Sequence, residues 1–241
     1  MAKLYKLKLI ERRETAENTM SFFCEKPAGF TFQPGQFVTL ICDAMAVVDR
    51  MGDRRAMSIA SSPTEETVHF SMRKSESAFK QSMARLEAGD TLSMLGPLGT
   101  FTLPQDTAQP LILVAGGIGI TPFRSMVKFA ADKKLDMAIT LLYSCHHGRD
   151  MTYRAELSDL ALNNKKFHLV LTLTKPDNQD TAWDGIFGKI DGGFIRSAVR
   201  NPAAATYMVV GPPRMVDAVE QTLRELTVPP ERIKTEKFAR H

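Results

Sequence analysis

Leu111-Ile112-Leu113-Val114-Ala115-Gly116-Gly117-Ile118-Gly119-Ile120-Thr121-Pro122-Phe123-Arg124-Ser125-Met126-Val127 is the stretch whose reading decides the fold. The apolar run from Leu111 reads as a strand buried on both faces, the pattern of a parallel sheet. Gly116, Gly117 and Gly119 then permit a tight turn and close approach of the backbone to a ligand. Thr121 is expected to cap the helix that follows. Pro122 suits its first turn, where the missing N–H would have no partner anyway. Strand, glycine turn and helix N-terminus together make a site for phosphate, because free N–H groups and the positive end of the helix dipole meet at one spot. The alternative is an ordinary strand-to-helix turn that happens to be rich in glycine. The segment departs from the common dinucleotide fingerprint: Ile120-Thr121-Pro122 follows Gly117-Ile118-Gly119, with no third glycine.

The grammar of the chain differs on either side of Pro104. Before it, short strand signals alternate with turns. Tyr5-Lys6-Leu7-Lys8-Leu9 alternates, Thr19-Met20-Ser21-Phe22-Phe23-Cys24 is a second strand, and Gln36-Phe37-Val38-Thr39-Leu40-Ile41 follows the turn Gln33-Pro34-Gly35. Val68–Arg73 and Thr91–Leu95 complete a spacing that predicts an antiparallel barrel or sandwich. One helix interrupts it, Ala78 to Leu86, with Phe79, Met83 and Leu86 at helical intervals. After Pro104 the signals read as strand Leu111–Ala115, helix Pro122–Ala131, strand Ala138–Tyr143 and helix Thr152–Leu162. Strand His168–Thr172, helix Gly193–Val199, strand Tyr207–Val210 and helix Arg214–Leu226 follow. That rhythm predicts an α/β domain with an open parallel sheet. At 241 residues the chain is comfortable for two domains. They are expected at 1–104 and 108–241, joined by the polar link Gln105-Asp106-Thr107-Ala108.

Composition narrows the partners. A net charge of +4 is mild and suits an acidic partner or an anionic ligand. Nothing resembles an arginine-rich helix, an RNP sequence or a zinc finger, so nucleic-acid binding is not expected. Cys24, Cys42 and Cys145 lie far apart, and no C-x-x-C or four-cysteine cluster is present for zinc or an iron–sulfur centre. Reduced thiols and a cytoplasmic location are the simplest account. The N-terminus lacks a signal-peptide apolar region. No apolar run approaches the ~20 residues needed to span a bilayer, so membrane insertion is not expected.

Three further stretches carry chemistry. Arg55-Ala56-Met57-Ser58-Ile59-Ala60-Ser61-Ser62-Pro63 offers a fixed cation, several hydroxyls and a turn, the groups needed to hold a diphosphate and a polar ring edge. A surface strand rich in serine is the alternative. Ser77-Ala78-Phe79-Lys80 opens a helix and is a natural anion site. Gly96-Pro97-Leu98-Gly99-Thr100-Phe101 is a turn leading out of the first domain. His146-His147 has no third histidine or carboxylate beside it and is expected to be a solvated loop with no metal. Trp183, in Trp183-Asp184-Gly185-Ile186-Phe187-Gly188, is expected to be a structural plug.

Taken together these stretches resemble the ferredoxin–NADP reductase superfamily, in which a flavin-binding antiparallel β-barrel precedes a nicotinamide-binding α/β domain. Pro34-Gly35-Gln36-Phe37 resembles its P-G-Q-F turn, and Arg55-x-Met57-Ser58 its R-x-Y-S flavin motif. Gly89-Asp90 with Gly96-Pro97-Leu98-Gly99-Thr100-Phe101 resembles its G-D…G-P-x-G-x-F. Gly116 to Pro122 is similar to its G-G-x-G-x-T-P, Gly211-Pro212-Pro213-Arg214-Met215-Val216 to its G-P-x-x-M-V, and Glu236-Lys237-Phe238 to its terminal E-x-F. The matches keep the family's order over nearly the whole chain.

The resemblance implies FAD and NAD(P)H as cofactors. It assigns Arg55 to the flavin diphosphate, with Ser77, Ala78 and Phe79 presenting backbone or hydroxyl groups to it. Met57 and Arg73 join the flavin-binding set. Ser58 lies beside flavin N5, the atom that accepts hydride. Gly116, Gly117, Gly119, Thr121 and Pro122 cradle the nicotinamide nucleotide, flanked by Gly211, Pro212 and Met215. Ser58, Glu236 and Phe238 form the catalytic set. Met57 replaces the family's usual tyrosine and Val210 its usual cysteine, which removes an aromatic stacking partner and a hydrogen-bonding thiol.

On this reading electrons pass from the nicotinamide through FAD to a separate acceptor such as ferredoxin or flavodoxin. The rivals are the reductase component of an oxygenase system, a free flavin reductase, an electron-transfer subunit of a larger complex, and a nucleotide-binding regulator. An acid at the end of the second strand of a nucleotide fold accepts from a ribose 2′-OH, whereas arginine meets a 2′-phosphate. Here that strand runs into Ser144-Cys145-His146-His147-Gly148-Arg149 and the next into Thr174-Lys175. Arg149 and Lys175, with Ser144 as a further donor, are expected to converge on a 2′-phosphate and favour NADPH. Two solvated loop cations are the alternative.

Overall fold

The computed structural model describes residues 2–43, 45, 50, 52–105 and 109–238. It divides into two compact units. The first takes in the described residues up to Leu103 together with Thr121–Phe129, and the second takes in Pro104–Ile120 and the chain from Ala130 onward. Of the polar link expected at 105–108, only Gln105 lies within the described residues.

The first unit is one six-stranded sheet built from β1 (Lys3–Ala16), β2 (Thr19–Glu25), β3 (Phe37–Ile41), β4 (Arg54–Ser58), β5 (Thr67–Arg73) and β6 (Thr91–Leu98). Their spatial order is β4-β3-β6-β1-β2-β5, with every pairing antiparallel. The two end strands meet just beyond β4, where Ala60 N–H donates to His69 O at 2.9 Å and closes the sheet on itself. The strands form because alternate residues reach a common core. Phe22, Val38, Leu40, Phe70, Leu92 and Met94 are all fully buried in one cluster. Helix α1 (Ala78–Arg85) adds Phe79 and Met83 to it.

β1 is longer than the alternation at Tyr5–Leu9 predicts. Its first half pairs with β6, Lys3 opposite Gly96 to Lys8 opposite Thr91, and its second half pairs with β2. Residues 10–14 are all exposed, so no apolar period marks them. Their extended form comes from the hairpin ladder rather than from burial. The alternative of a serine-rich surface strand at Arg55–Pro63 does not hold: the strand runs only as far as Ser58, Arg55 and Ser58 are buried, and Ile59, Ala60, Ser61 and Ser62 are 0% exposed.

The second unit is a six-stranded parallel sheet in the order β10-β9-β8-β7-β11-β12. Its strands are β7 (Leu111–Gly116), β8 (Ile139–Cys145), β9 (Phe167–Leu173), β10 (Ile186–Phe187), β11 (Thr206–Gly211) and β12 (Ile233–Lys237). Helices α2 (Ile120–Asp132), α3 (Arg154–Asn163), α4 (Gly192–Ala198) and α5 (Pro213–Glu225) connect them. Every residue of β7 is buried, as its unbroken apolar run requires. β10 and β12 carry no sequence signal: one is two exposed residues long, and the other has no fully buried position.

Thr121 does not cap α2. A 3-10 turn at Gly117–Gly119 runs directly into the helix, which starts at Ile120, so Thr121 and Pro122 are its second and third residues. The turn before a helix already satisfies donors that a side-chain cap would otherwise take. Pro122 stays within the first four residues, where no N–H is needed. α3 likewise starts later than expected, at Arg154, because Tyr153 adopts a left-handed φ of 65°.

His69, 1% exposed, has a pKa pushed down to about 3, by burial first and then by Arg124 and Arg13. Between pH 6.5 and about 3 the unfolded chain takes up a proton that folded His69 refuses. Its contribution to stability is therefore complete above pH 6.5 and is lost as the pH falls. The urea midpoint of His69→Gln should depend less steeply on pH across that window, by about one proton. Parallel curves for variant and wild type would refute it.

Candidate functional site

β4 places the flavin-motif residues. Arg55 is 8% exposed; its Nη1 donates to Arg54 O (2.7 Å) and Gly52 O (3.1 Å), and its guanidinium lies 5.1 Å from the centre of the Phe79 ring. Phe79 is the second residue of α1. Ser77 caps that helix, its hydroxyl accepting from Lys80 N–H at 3.4 Å. The Ser77 hydroxyl is thus already committed to the cap. Lys80 is half-buried, and its pKa is lowered by desolvation first and then by the positive charge of Arg55. Two cations that repel one another sit at a helix start with no acid in the first turn. That donor set is what a diphosphate fits. The resemblance assigns no role to Lys80, whose charge gains meaning only through its nearness to Arg55.

Met57 lies opposite Val38 and packs on the core, and Ser58, 9% exposed, lies opposite Phe37. Ala78 opens α1. Arg73 ends β5 opposite Thr19 and donates to Glu17 O at 3.4 Å.

In the second unit, residues far apart in sequence meet at the C-terminal end of the parallel sheet. A side chain on Gly116 would run into Met215 Sδ and Pro212 Cδ, and one on Gly211 would stand 3.1 Å from Gly116 Cα. On Gly119 it would come within 2.5 Å of Val210 O. Gly117 has φ 55°, the left-handed region that suits glycine. The two glycine motifs therefore touch, and the third glycine of the common fingerprint is not needed for this approach. β12 brings the terminal motif to the same corner. Glu236 lies opposite Val210, Lys237 opposite Gly211, and Phe238 N–H donates to Gly211 O at 2.9 Å. Glu236 is half-buried, and burial raises its pKa. Lys237 is held by Asp217 at 2.6 Å. Ligands of open parallel sheets bind at this end, beyond the strand termini.

Ser144, 9% exposed, lies on β8 opposite Gly116 and Thr172. Beyond it the geometry bears on two expectations. Arg149, expected at a 2′-phosphate, makes a fork with Asp177, Nη1 to Oδ1 at 3.0 Å and Nη2 to Oδ2 at 2.8 Å. Arg149 first, then the Gln179 N–H, pulls the Asp177 carboxyl down to about 2. Lys175 is exposed, with its backbone N–H on His146 O. His147 is not simply solvated, since its Nδ1 lies 3.3 Å from Asp177 and 3.6 Å from Asp180. The ligand atoms of His147, Asp177 and Asp180 are within 4.8 Å of one another. Their carboxylate oxygens, however, already accept from Arg149 and from the Gly148 and Asp177 N–H groups. No sequence motif marks Asp177 or Asp180, because both act through a loop fold. Trp183 is half-exposed rather than a buried plug: its Nε1–H donates to Ile186 O at 3.1 Å, and Arg154 lies 4.7 Å from its ring.

Residues 113–221 match the family model described as oxidoreductase NAD-binding domain. The chain is 28% identical over 98% of its length to the toluate 1,2-dioxygenase electron transfer component of Pseudomonas putida, and it spans 68% of that protein. It is 26% identical over 86% of its length to the glycine betaine monooxygenase reductase subunit of Chromohalobacter salexigens, spanning 56% of it. It is 30% identical over 85% of its length to the sulfhydrogenase 1 subunit gamma of Pyrococcus furiosus, spanning 67%. The chain thus spans between 56% and 68% of the length of these relatives. The fold is similar to that of the cytochrome P450 reductase of Amycolatopsis, with a TM-score of 0.83 at 24% identity over 99% of this chain and 71% of the other. A ferredoxin NADP+ reductase from Neisseria gonorrhoeae gives 0.80 at 21% identity over 98% and 99%. An antiparallel barrel with a cation pair at α1, a parallel sheet with touching glycine motifs, and these relatives agree: the chain belongs to the ferredoxin–NADP reductase superfamily of FAD- and NAD(P)H-dependent oxidoreductases.

Proposed function

We propose that the chain is the reductase component of an oxygenase system, passing electrons from NAD(P)H through FAD to a separate redox protein. The likeness over 98% of the chain to a dioxygenase electron transfer component carries this reading, and that to a monooxygenase reductase subunit supports it. Ferredoxin or flavodoxin, expected from the sequence as acceptors, and free flavin become alternatives within the same test. Cys24, Cys42 and Cys145 are all buried, and three thiolates are fewer than the four of an iron–sulfur cluster.

Bound FAD supplies the redox chemistry, taking two electrons from the nicotinamide and releasing them singly or as a pair. The chain binds and orients. Arg55 and Lys80 hold the diphosphate at the start of α1, with the Ala78 and Phe79 backbone beside it. Met57 supplies a polarizable surface for the ring system. Ser58 would offer its hydroxyl to the polar edge of the flavin ring system, at the atom that takes up hydride. In the second unit Gly116, Gly117, Gly119, Thr121 and Pro122 let the nucleotide approach the backbone, with Gly211, Pro212 and Met215 on its other side. Val210 excludes water where a thiol would hydrogen-bond. Glu236 keeps its proton to higher pH than an ordinary carboxyl and is suited to donate it.

With NADH or NADPH as donor, the purified yellow protein should reduce ferricyanide and an iron–sulfur oxygenase component faster than free FMN, ferredoxin or flavodoxin. A colourless protein that takes up no FAD would refute the reading. A faster reaction with free flavin would move the assignment to a flavin reductase.

Arg55→Ala should weaken FAD binding about ten- to a hundredfold, the effect of losing a charge-assisted partner worth about 1.5–3 kcal/mol. Titration of apoprotein by flavin fluorescence measures it. Unchanged affinity would remove Arg55 from the diphosphate site.

The sequence favours NADPH through Arg149, Lys175 and Ser144. A 2′-phosphate must take Arg149 away from Asp177, so the proposed preference is small. Asp177→Asn should raise the NADPH-to-NADH ratio of kcat/KM about tenfold, and added salt should narrow it again. An unchanged ratio in this variant would place the 2′-phosphate elsewhere.

A further inference from the structure

The segment after β4 is held at more points than a turn requires. Ile59 N–H donates to Gln36 O (3.0 Å) and Ala60 N–H to His69 O (2.9 Å). Arg124 Nη1 donates to Ala60 O (3.2 Å) and Ser125 Oγ to Ser61 O (2.6 Å). Ser61 Oγ in turn accepts from His69 N–H at 3.1 Å. The Glu65 carboxylate takes both Nη groups of Arg124, Nη2 to Oε1 at 2.9 Å, and also the Ser62 N–H. Lys26 Nζ donates to Pro63 O (2.7 Å) and Glu65 O (3.1 Å). Arg124 and Ser125 are consecutive residues of α2, in the portion that belongs to the first unit. The side chain of Arg124 is 6% exposed and that of Glu65 22%.

A buried ion pair is a poor source of stability. Well-packed apolar residues of similar volume often do as well, because each charge must first leave water. What a guanidinium–carboxylate fork does supply is direction, two parallel hydrogen bonds in one plane. Here that direction is applied to the Ala60 carbonyl, two residues beyond Ser58, while Ser125 holds the Ser61 carbonyl, three residues beyond. Ser58 itself is fixed on its other side by the ladder to Phe37.

We propose that Arg124, acting with Glu65, is a positioning residue for flavin reduction: it fixes the Ile59–Ser62 backbone and thereby the Ser58 hydroxyl. The inference rests on the assignment of Ser58 to flavin N5 and extends it to the group that holds Ser58 in place. Arg124 touches neither cofactor in this scheme.

The test is a mutant cycle on the FAD-loaded protein. The paired variant Arg124→Met with Glu65→Met removes both charges and leaves neither buried alone. Four forms are compared: wild type, the paired variant, Ser58→Ala, and all three changes together. FAD affinity of the paired variant should stay within about threefold of wild type while reduction by NAD(P)H in stopped flow slows about tenfold. The visible circular dichroism of the bound flavin should shift, and the Ala60 and Ser62 amides should exchange faster with deuterium. In the Ser58→Ala background the paired change should slow reduction no further. Equal slowing in both backgrounds, or reduction at the wild-type rate, overturns the proposal. Ser58→Ala alone reducing at the wild-type rate overturns the Ser58 assignment instead, a separate outcome read without touching Arg124. If the paired variant does not fold, Ser125→Ala removes one bond to Ser61 O and enters the same cycle. A slowing of about threefold that vanishes in the Ser58→Ala background supports the inference, and no slowing overturns it.

Discussion

Arg124 carries a charge into the interior of the first unit, and the loop between β4 and β5 is arranged to satisfy it. A guanidinium removed from water must recover its hydrogen bonds from the protein or destabilise the fold by several kcal/mol. It recovers them from both oxygens of Glu65 and from Ala60 O, and Glu65 in turn accepts from Ser62 N–H. The chain between β4 and β5 consequently has little freedom left. The hydrogen bond from Ala60 to His69, which closes the sheet, lies within this network. The same cation acts on His69. That ring packs against Phe23 with centroids 4.8 Å apart and planes tilted by 35°, and burial and the nearby guanidinium groups keep it neutral. One buried charge thus holds a loop conformation and adds to the burial that keeps His69 neutral.

The second unit is governed by backbone proximity rather than charge. Parallel strands deliver all their C-terminal ends to one edge, and what gathers there depends on how closely those ends approach. Gly116 and Gly211 leave no room for a Cβ, so β7 and β11 meet main chain to main chain. β12 then lays Glu236 beside Val210 and ties Phe238 to Gly211. Glycine at these positions is a requirement of packing before it is a requirement of ligand binding. A phosphate cradle follows from the same geometry, because backbone unshielded by side chains can approach an anion.

This difference explains what could be read from the sequence. β7, the glycine turn and α2 were legible because burial on both faces and helical spacing leave local marks, and the barrel strands because alternation does. The far half of β1 and the whole of β12 left none. Residues 10–14 are exposed on both faces, and no position of β12 is fully buried, so the ladder alone keeps them extended. Motif residues such as Arg55 and Gly116 could be named, but their state could not. That Ser77 is committed to a cap, that Lys80 is repelled by Arg55 and that Arg149 is held by Asp177 are facts of loop folding across long separations. Thr121 failed as a cap for a smaller reason: glycine spacing does not announce a 3-10 turn that makes the cap unnecessary.

The cations at the two proposed anion sites are in different states. At α1, Arg55 and Lys80 are brought together where each raises the electrostatic cost of the other, and no acid stands in the first helical turn. In the proposed reading, a multiply charged anion bound there relieves that repulsion. At the ends of β8 and β9 the reverse holds. Arg149 already has a carboxylate at full fork distance, and Asp180 and Asp177 lie beside His147. An incoming phosphate there gains an arginine only by displacing an acid, so its net gain is the difference between two charge-assisted pairs. In the proposed assignment the flavin diphosphate therefore meets two neighbouring cations, while a 2′-phosphate on the nicotinamide nucleotide meets an arginine already paired with a carboxylate.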